Sequence, residues 1–220
     1  MPSPTAGEIA AAALAVLRNE PVQARSTARL TSLLDSAAAV VEQIGYERLT
    51  TAMIAERAGS SIGTVYRYFP DRIAVLHALC GRSMSRFVSE GIPLIDADSV
   101  HSWQDAVGAA LDYWVEAYRS EPGFRALRFG DVLDLRPRTG DVTNNGVVAA
   151  AIGASLSTRH GVVAGDDLQF RLEVALELSD ALLARAFAFK RNGDDRFIDE
   201  ARTTARQYLA QHLVEVSTPS

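Results

Sequence analysis

Apolar residues recur along this chain at steps of three and four, the spacing of an amphipathic helix, and almost nowhere at the step of two that marks a strand. Between residues 28 and 44, Leu30, Leu33, Leu34, Ala37, Val40, Val41 and Ile44 form one stripe, and Gly45 follows where a C-terminal cap belongs. A short helix is predicted from Thr51 to Ala58, with Thr50 or Thr51 as its N-cap and Gly59 as its stop. Another runs from Ser61 to Tyr68 and is closed by Phe69-Pro70. Asp71 then caps a longer helix that passes through Ile73, Val75, Leu76 and Leu79 toward Val88. Past Pro93 further helices are predicted over 102–119, 122–133, 145–160, 167–191 and 194–216, and the Pro-, Gly- and Asn-containing stretch 135–145 reads as a loop. The predicted fold class is all-α.

Composition narrows the function classes. The 220 residues carry a formal charge of −5, 48% are apolar and 22% are charged, which fits a globular protein and excludes disorder as the main state. Cys80 is the single cysteine, so no disulfide framework exists. No stretch approaches the roughly 20 apolar residues that span a bilayer. The alanine-rich run from Ile9 to Leu17 has no basic residue ahead of it, unlike a signal peptide. A cytoplasmic protein with no membrane partner is expected. Through residue 80 seven arginines balance seven acids, so the whole acidic excess falls in the remainder.

Two short helices joined by a tight turn, directly after a longer amphipathic helix, are the arrangement of a helix-turn-helix DNA reader. A major groove about 12 Å wide admits one helix, so the reading helix must be short and exposed on one face. Ile54, Ala55 and Ala58 would pack the first short helix inward, and Val65 and Phe69 the second. Ser61, Ile62, Thr64, Tyr66, Arg67 and Tyr68 are left as candidates for the outer face. Hydroxyls and an arginine suit phosphates and base edges, Ile62 suits a thymine methyl, and Gly63 permits close backbone approach.

The runs Gly45-Tyr46-Glu47-Arg48-Leu49-Thr50-Thr51, Ile54-Ala55-Glu56-Arg57-Ala58-Gly59 and Gly63-Thr64-Val65-Tyr66-Arg67-Tyr68-Phe69-Pro70 resemble the DNA-binding domain of the TetR family of transcriptional repressors. The resemblance covers about 50 residues, from near Arg25 to Leu79. It implies a phosphate contact from Thr51 at the start of the second helix. It implies base and backbone contacts from Ser61, Ile62, Gly63, Thr64, Tyr66 and Tyr68. Arg72 stands where the family usually has a phosphate-gripping lysine, which keeps the charge and replaces a point donor by a planar fork. Arg18, Arg25 and Arg29 would make the N-terminal extension a DNA-contacting arm; a packed extra helix or a frayed tail is the other reading.

Other chemistry is weaker. Gly59-Ser60-Ser61-Ile62-Gly63 spells the G-x-S-x-G of a hydrolase nucleophile elbow, but that elbow needs a preceding strand, and a helical pattern precedes this one. His77, His101, His160 and His212 lack metal-ligand spacing, and Cys80 sits in a helical pattern as a core residue. No catalytic residue, metal or cofactor is implied, and an enzyme is not expected.

Aromatics concentrate between residues 100 and 170, where core packing is one reading. The family resemblance implies a second, an inducer cavity between the C-terminal helices. Its candidate walls are Trp114, Tyr118, Phe124, Phe129 and Leu133, with Arg128 or Asp180 for polar contact. In the penultimate helix Leu172, Ala175, Leu176, Leu182, Leu183 and Phe187 spread over much of the circumference. The last helix repeats Phe197, Ala201 and Tyr208 beside Ile198, Ala205, Leu209 and Leu213. Pairing of these two helices with their symmetry mates would make a homodimer, as the family does; a central buried helix is the other reading.

The expected organisation is an N-terminal extension over 1–24, a three-helix helix-turn-helix domain over 25–80, a helical ligand-sensing and dimerisation domain over 81–216, and a tail over 217–220. The expected function is a homodimeric repressor that binds a near-palindromic operator and is released by a small, apolar or aromatic inducer. The alternative is a DNA-binding regulator of the same fold that activates transcription or has no small-molecule ligand.

Overall fold

The structure, a computed structural model, describes residues 24–129, 144–163 and 166–213. Residues 1–23 of the expected N-terminal arm, residues 130–143 with most of the loop expected at 135–145 and the end of the helix predicted to reach Leu133, and the C-terminal tail lie outside the described residues. Arg29, by contrast, lies in the first helix, and residues 144 and 145 are helical. Helices account for about four-fifths of the described residues. They are α1 (Ala24–Ile44), α2 (Thr51–Arg57), α3 (Ile62–Tyr68), α4 (Arg72–Arg86), a π-helical turn (Phe87–Gly91), α5 (Ile92–Ile95), α6 (Trp103–Ser120), α7 (Phe124–Phe129), α8 (Asn144–His160), α9 (Asp166–Phe187) and α10 (Asp195–Ala210). No strand occurs among the described residues, so the all-α class holds. No helix among them is long and apolar enough to cross a membrane.

The chain forms two compact units, one holding 24–83 with 120–129 and the other 84–119, 144–163 and 166–213. In the smaller unit the predicted stripe of α1 supplies Leu33, Ala37 and Val41, none more than 1% exposed, to a core shared with Leu49, Ile54, Val65, Phe69, Val75, Leu76 and Leu79. Cys80 packs against that core. Gly45 (φ +81°) ends α1, its N–H returning to the carbonyl of Val41 at 2.9 Å. The contribution of α7 to this unit was not foreseen. Ala126 and Leu127 pack on the core, and the Glu42 carboxylate on α1 accepts from the Gly123 N–H at 3.0 Å and from Arg125 at 2.6 Å.

Sequence patterning places a boundary at Pro93, yet the helical path continues through it to Ile95. Proline has no N–H, and in an α-helix its ring would strike the carbonyl four residues back, that of Ser89. The chain responds by widening: the Ile92 N–H donates five residues back to Phe87, which closes the π-helical turn ahead of the proline.

In the larger unit, Trp103, Val107, Ala110, Leu111, Trp114 and Tyr118 form the buried face of α6. The first residues of α8, from Asn145 to Ala150, are buried all round. Helices α9 and α10 pack on each other, with Leu172, Ala175 and Leu183 buried on the first and Ile198, Ala201, Ala205 and Leu209 on the second. Both stop short of their expected ends. Asp194 closes α9, its N–H bonded to the Ala186 carbonyl at 3.0 Å, and opens α10 by accepting from the Arg196 N–H. A turn at Gln211-His212 follows Ala210.

Candidate nucleic-acid interface

Local chemistry sets the two short helices. Thr50 is the N-cap of α2, its hydroxyl accepting from the Met53 N–H at 3.2 Å, and Thr51 is the first helical residue. The turn between α2 and α3 is a Schellman motif. The Gly59 N–H bonds Glu56, and the Ser60 N–H reaches back to Ala55 at 2.9 Å. That motif needs a left-handed residue, and Gly59 (φ +57°) provides it without the Cβ clash any other residue would meet. Ser61 then caps α3, accepting from the Thr64 N–H at 3.2 Å. A cap of this kind is worth about 1 kcal/mol to a helix that has only seven residues.

With Val65 and Phe69 buried, the opposite side of α3 faces solvent. Ser61, Ile62, Gly63 and Tyr66 are exposed, Ile62 at 47% and Tyr66 at 52%. Thr64 is half-buried and its hydroxyl is 2.9 Å from that of Ser61. Thr51 Oγ1 donates to the Tyr66 phenol oxygen at 3.3 Å, which brings the α2 and α3 candidates together. Arg72 opens α4, where Asp71 caps the Ala74 N–H at 2.8 Å, and its guanidinium donates to the Glu47 carbonyl at 2.6 Å.

Tyr68 stands differently from the outer-face expectation. It lies three residues from Val65, on the same side of the helix, and is half-buried against the core with its phenol 3.1 Å from the Ser26 hydroxyl of α1. Its place is between α3 and α1.

Charge is sorted within the smaller unit, although its first 80 residues sum to zero. Arg82 pairs with Asp35 at 2.7 Å and Arg125 with Glu42 at 2.6 Å. By contrast, among the described residues Arg29, Arg57 and Arg72 donate only to neutral groups: the Ser60 hydroxyl, the Gln43 side chain and the Glu47 carbonyl. Arg48 and Arg67 are exposed, and their side chains make no hydrogen bond or ion pair among the described residues. Composition alone does not show this, because a sum over residues carries no information about which charges are neutralised by contact.

The candidate ligand residues divide between the units. Trp114, Tyr118 and Asp180 belong to the larger one. Trp114 stacks on Phe87 with centroids 4.8 Å apart, and Tyr118 stacks on Phe187 at 4.7 Å while its hydroxyl donates to Asp180 at 3.4 Å. Phe124 is buried in the smaller unit. Arg128 and Phe129 fall in α7, but their side chains, like the whole of Leu133, lie outside the described residues. A cavity between α6, α8, α9 and α10 is lined by Val107, Ala110, Leu111, Ile152, Ala175 and Ser179 among others, with about 20 Å³ of space, room for one water.

A capped seven-residue helix, presented after a Schellman turn on a three-helix core with cations around it and helices beyond, defines a helix-turn-helix transcriptional regulator. Comparison with known proteins identifies which kind. The profile of the bacterial regulatory proteins of the tetR family matches residues 33–79, and that of the tetracyclin repressor-like C-terminal domain matches residues 101–213. The chain belongs to the TetR family. A TetR-family transcriptional regulator from Streptomyces coelicolor has 31% identity and a TM-score of 0.70, over 83% of this chain and 98% of that one. The transcriptional regulator FadR from Bacillus subtilis, solved with stearoyl-CoA, shares the fold at 15% identity and a TM-score of 0.61, over 82% of this chain and 98% of its own. Among curated relatives, the HTH-type transcriptional repressor KstR of Mycobacterium tuberculosis is 38% identical over 58 residues, which is 26% of this chain and 26% of that protein. The match therefore spans about a quarter of that relative's length.

Proposed function

We propose that the protein is a repressor that binds a near-palindromic operator as a homodimer through α3 and leaves it when a small, largely apolar or aromatic inducer binds. The observation that carries the DNA reading is the outward face of α3, with Ser61, Ile62, Gly63 and Tyr66 exposed beside arginines that have no carboxylate partner among the described residues. In this reading Thr51 and Arg72 grip phosphates, Ser61, Ile62, Gly63, Thr64 and Tyr66 meet bases and backbone, and Tyr68 contributes from the side turned to α1. Repression is supported by the likeness of the DNA-binding segment to the repressor KstR.

A second apolar stripe on α9 supports the dimer. Phe170, Val174 and Leu178 follow at steps of four, two residues out of phase with the buried Leu168, Leu172 and Ala175, so they point away from the unit's own core. Phe170 is 55% and Leu178 40% exposed in the single chain. Two chains paired through α9 and α10 about a two-fold axis would present two copies of α3 to successive major-groove turns.

The inducer would act by favouring the dimer state in which those two helices are wrongly spaced. Helix α4 is the natural lever, since Arg72 begins it and its last residues belong to the larger unit. FadR, with its bound stearoyl-CoA, shows this fold accommodating a ligand with a long apolar chain. One observation favours the second reading, a regulator with no small-molecule ligand: Trp114 and Tyr118 are stacked shut on Phe87 and Phe187. An inducer using those walls must part these rings.

The deciding measurement is binding of the full chain to a duplex from upstream of its own gene at two salt concentrations. Tight, sequence-dependent binding that weakens with salt supports the reading, and release by an apolar compound supports the inducer. Weak, sequence-blind binding counts against it.

A further inference from the structure

The first turns of α1 run beside the recognition helix. Ser26 and Arg29 are three residues apart on one face of α1. Ser26 meets Tyr68 at the last residue of α3, and Arg29 Nη1 donates at 3.1 Å to Ser60 Oγ, the residue just before the cap of α3. One edge of α1 thus spans both ends of α3, and Arg29 is its exposed cation.

A guanidinium has five donors, and here a neutral hydroxyl accepts from one. Among the described residues no carboxylate neutralises Arg29, whereas Arg82 and Arg125, in the same unit, each have one. An arginine kept only to tie α1 to the α2–α3 turn would be expected to take such a partner. A phosphodiester fits the remaining fork: it is anionic, and two of its oxygens match the parallel donors. A helix seated in the major groove has the sugar–phosphate walls of that groove beside it. Arg72 occupies the corresponding place past the C-terminal end of α3.

We infer that Arg29, steadied by the Ser60 hydroxyl, is a DNA-backbone anchor on the α1 side of the recognition helix, paired with Arg72 on the other side. The inference rests on the DNA-binding reading above and extends the contact surface onto α1. Its contribution is independent of base sequence.

The test uses the full chain and a mixed-sequence duplex, with binding followed by fluorescence anisotropy across a salt series. Arg29→Ala is expected to weaken binding and to lower the salt slope by about one. That corresponds to the variant and parent differing by roughly 3.5-fold less after a fourfold rise in salt. Arg29→Lys retains the slope, Arg29→Gln loses it, and Ser60→Ala retains the slope with modestly weaker binding. Arg82→Ala serves as the control and leaves the slope unchanged. Parent-like affinity and slope in both Arg29→Ala and Arg29→Gln overturns the anchor while leaving DNA binding intact. Equal losses in Arg29→Lys and Ser60→Ala also overturn it, because only a structural tie would be sensitive to both. Absence of salt-dependent binding by the parent chain overturns the DNA reading and the anchor together.

Discussion

Thr51 and Tyr66 meet across the two short helices, the threonine hydroxyl donating to the tyrosine phenol at 3.3 Å. The bond holds an exposed ring in one direction at the surface assigned to DNA. Tyr66→Ala is expected to weaken binding to the upstream duplex by about 1–3 kcal/mol, roughly 5- to 150-fold, with dimerisation and helicity unchanged. Tyr66→Phe keeps the ring and loses the bond, so it should fall between. Unchanged affinity in Tyr66→Ala would remove this residue from the interface.

Arg72→Ala should weaken binding to every duplex by a similar factor and leave the dimer intact, as a phosphate contact requires. Sedimentation of the variant checks the second half of that statement. A monomeric Arg72→Ala would show that the residue supports the fold of α4 instead, through its bond to the Glu47 carbonyl.

Gly123 lies close against the backbone of α1. Its φ of +76° disfavours any side chain, and a Cβ there would stand 2.8 Å from the Ala38 carbonyl oxygen, a backbone atom of α1. Gly123→Ala is expected to cost about 1–3 kcal/mol of stability by combined strain and overpacking, measured by urea denaturation. A neutral result would mean that α7 can lift away from α1 at little cost.

Asp194 is held well below the usual carboxylate range, chiefly by its bonds to the Arg196 guanidinium and then by Lys190. A depressed folded-state value means that the carboxylate stabilises the fold above its unfolded pKa, near 3.9, and that this contribution is lost as pH falls below about 4. Asp194→Asn keeps an N-cap for α10 but should lose part of that acid dependence. Thermal melts from neutral pH to pH 3 give the comparison. Parallel curves for parent and variant would assign the acid limb to other groups.

Leu178→Glu and Phe170→Glu place a charge in the outward stripe of α9. Both should shift the protein to monomer in sedimentation with its helical circular dichroism retained. A persistent dimer in both would move the interface off this stripe.

Helix positions were legible because each relies on local grammar: the apolar stripe of α1, the caps Thr50, Ser61 and Asp71, and the stops Gly45 and Gly59. The face of α3 was nearly so, since Val65 and Phe69 fix which side turns inward; the contact of Tyr68 with α1 was not, because its partner Ser26 is 42 residues away. The docking of α7 was not legible for the same reason, as it depends on Glu42, Gly123 and Arg125 meeting across more than 80 residues. Pro93 shows a local rule overridden, because a turn that closes five residues back lets a helix pass a residue that normally ends it.

That π-helical turn also has a meaning for how the gene can change. A turn that closes one residue later than the α ladder contains, in effect, a spare amino acid, lodged between Phe87 and Gly91. Removing one codon there, together with replacement of Pro93, would let the ladder close in ordinary register, whereas the same loss one turn earlier would rotate every following side chain by about 100°. Length variation in this long connecting helix should therefore be concentrated at these five positions.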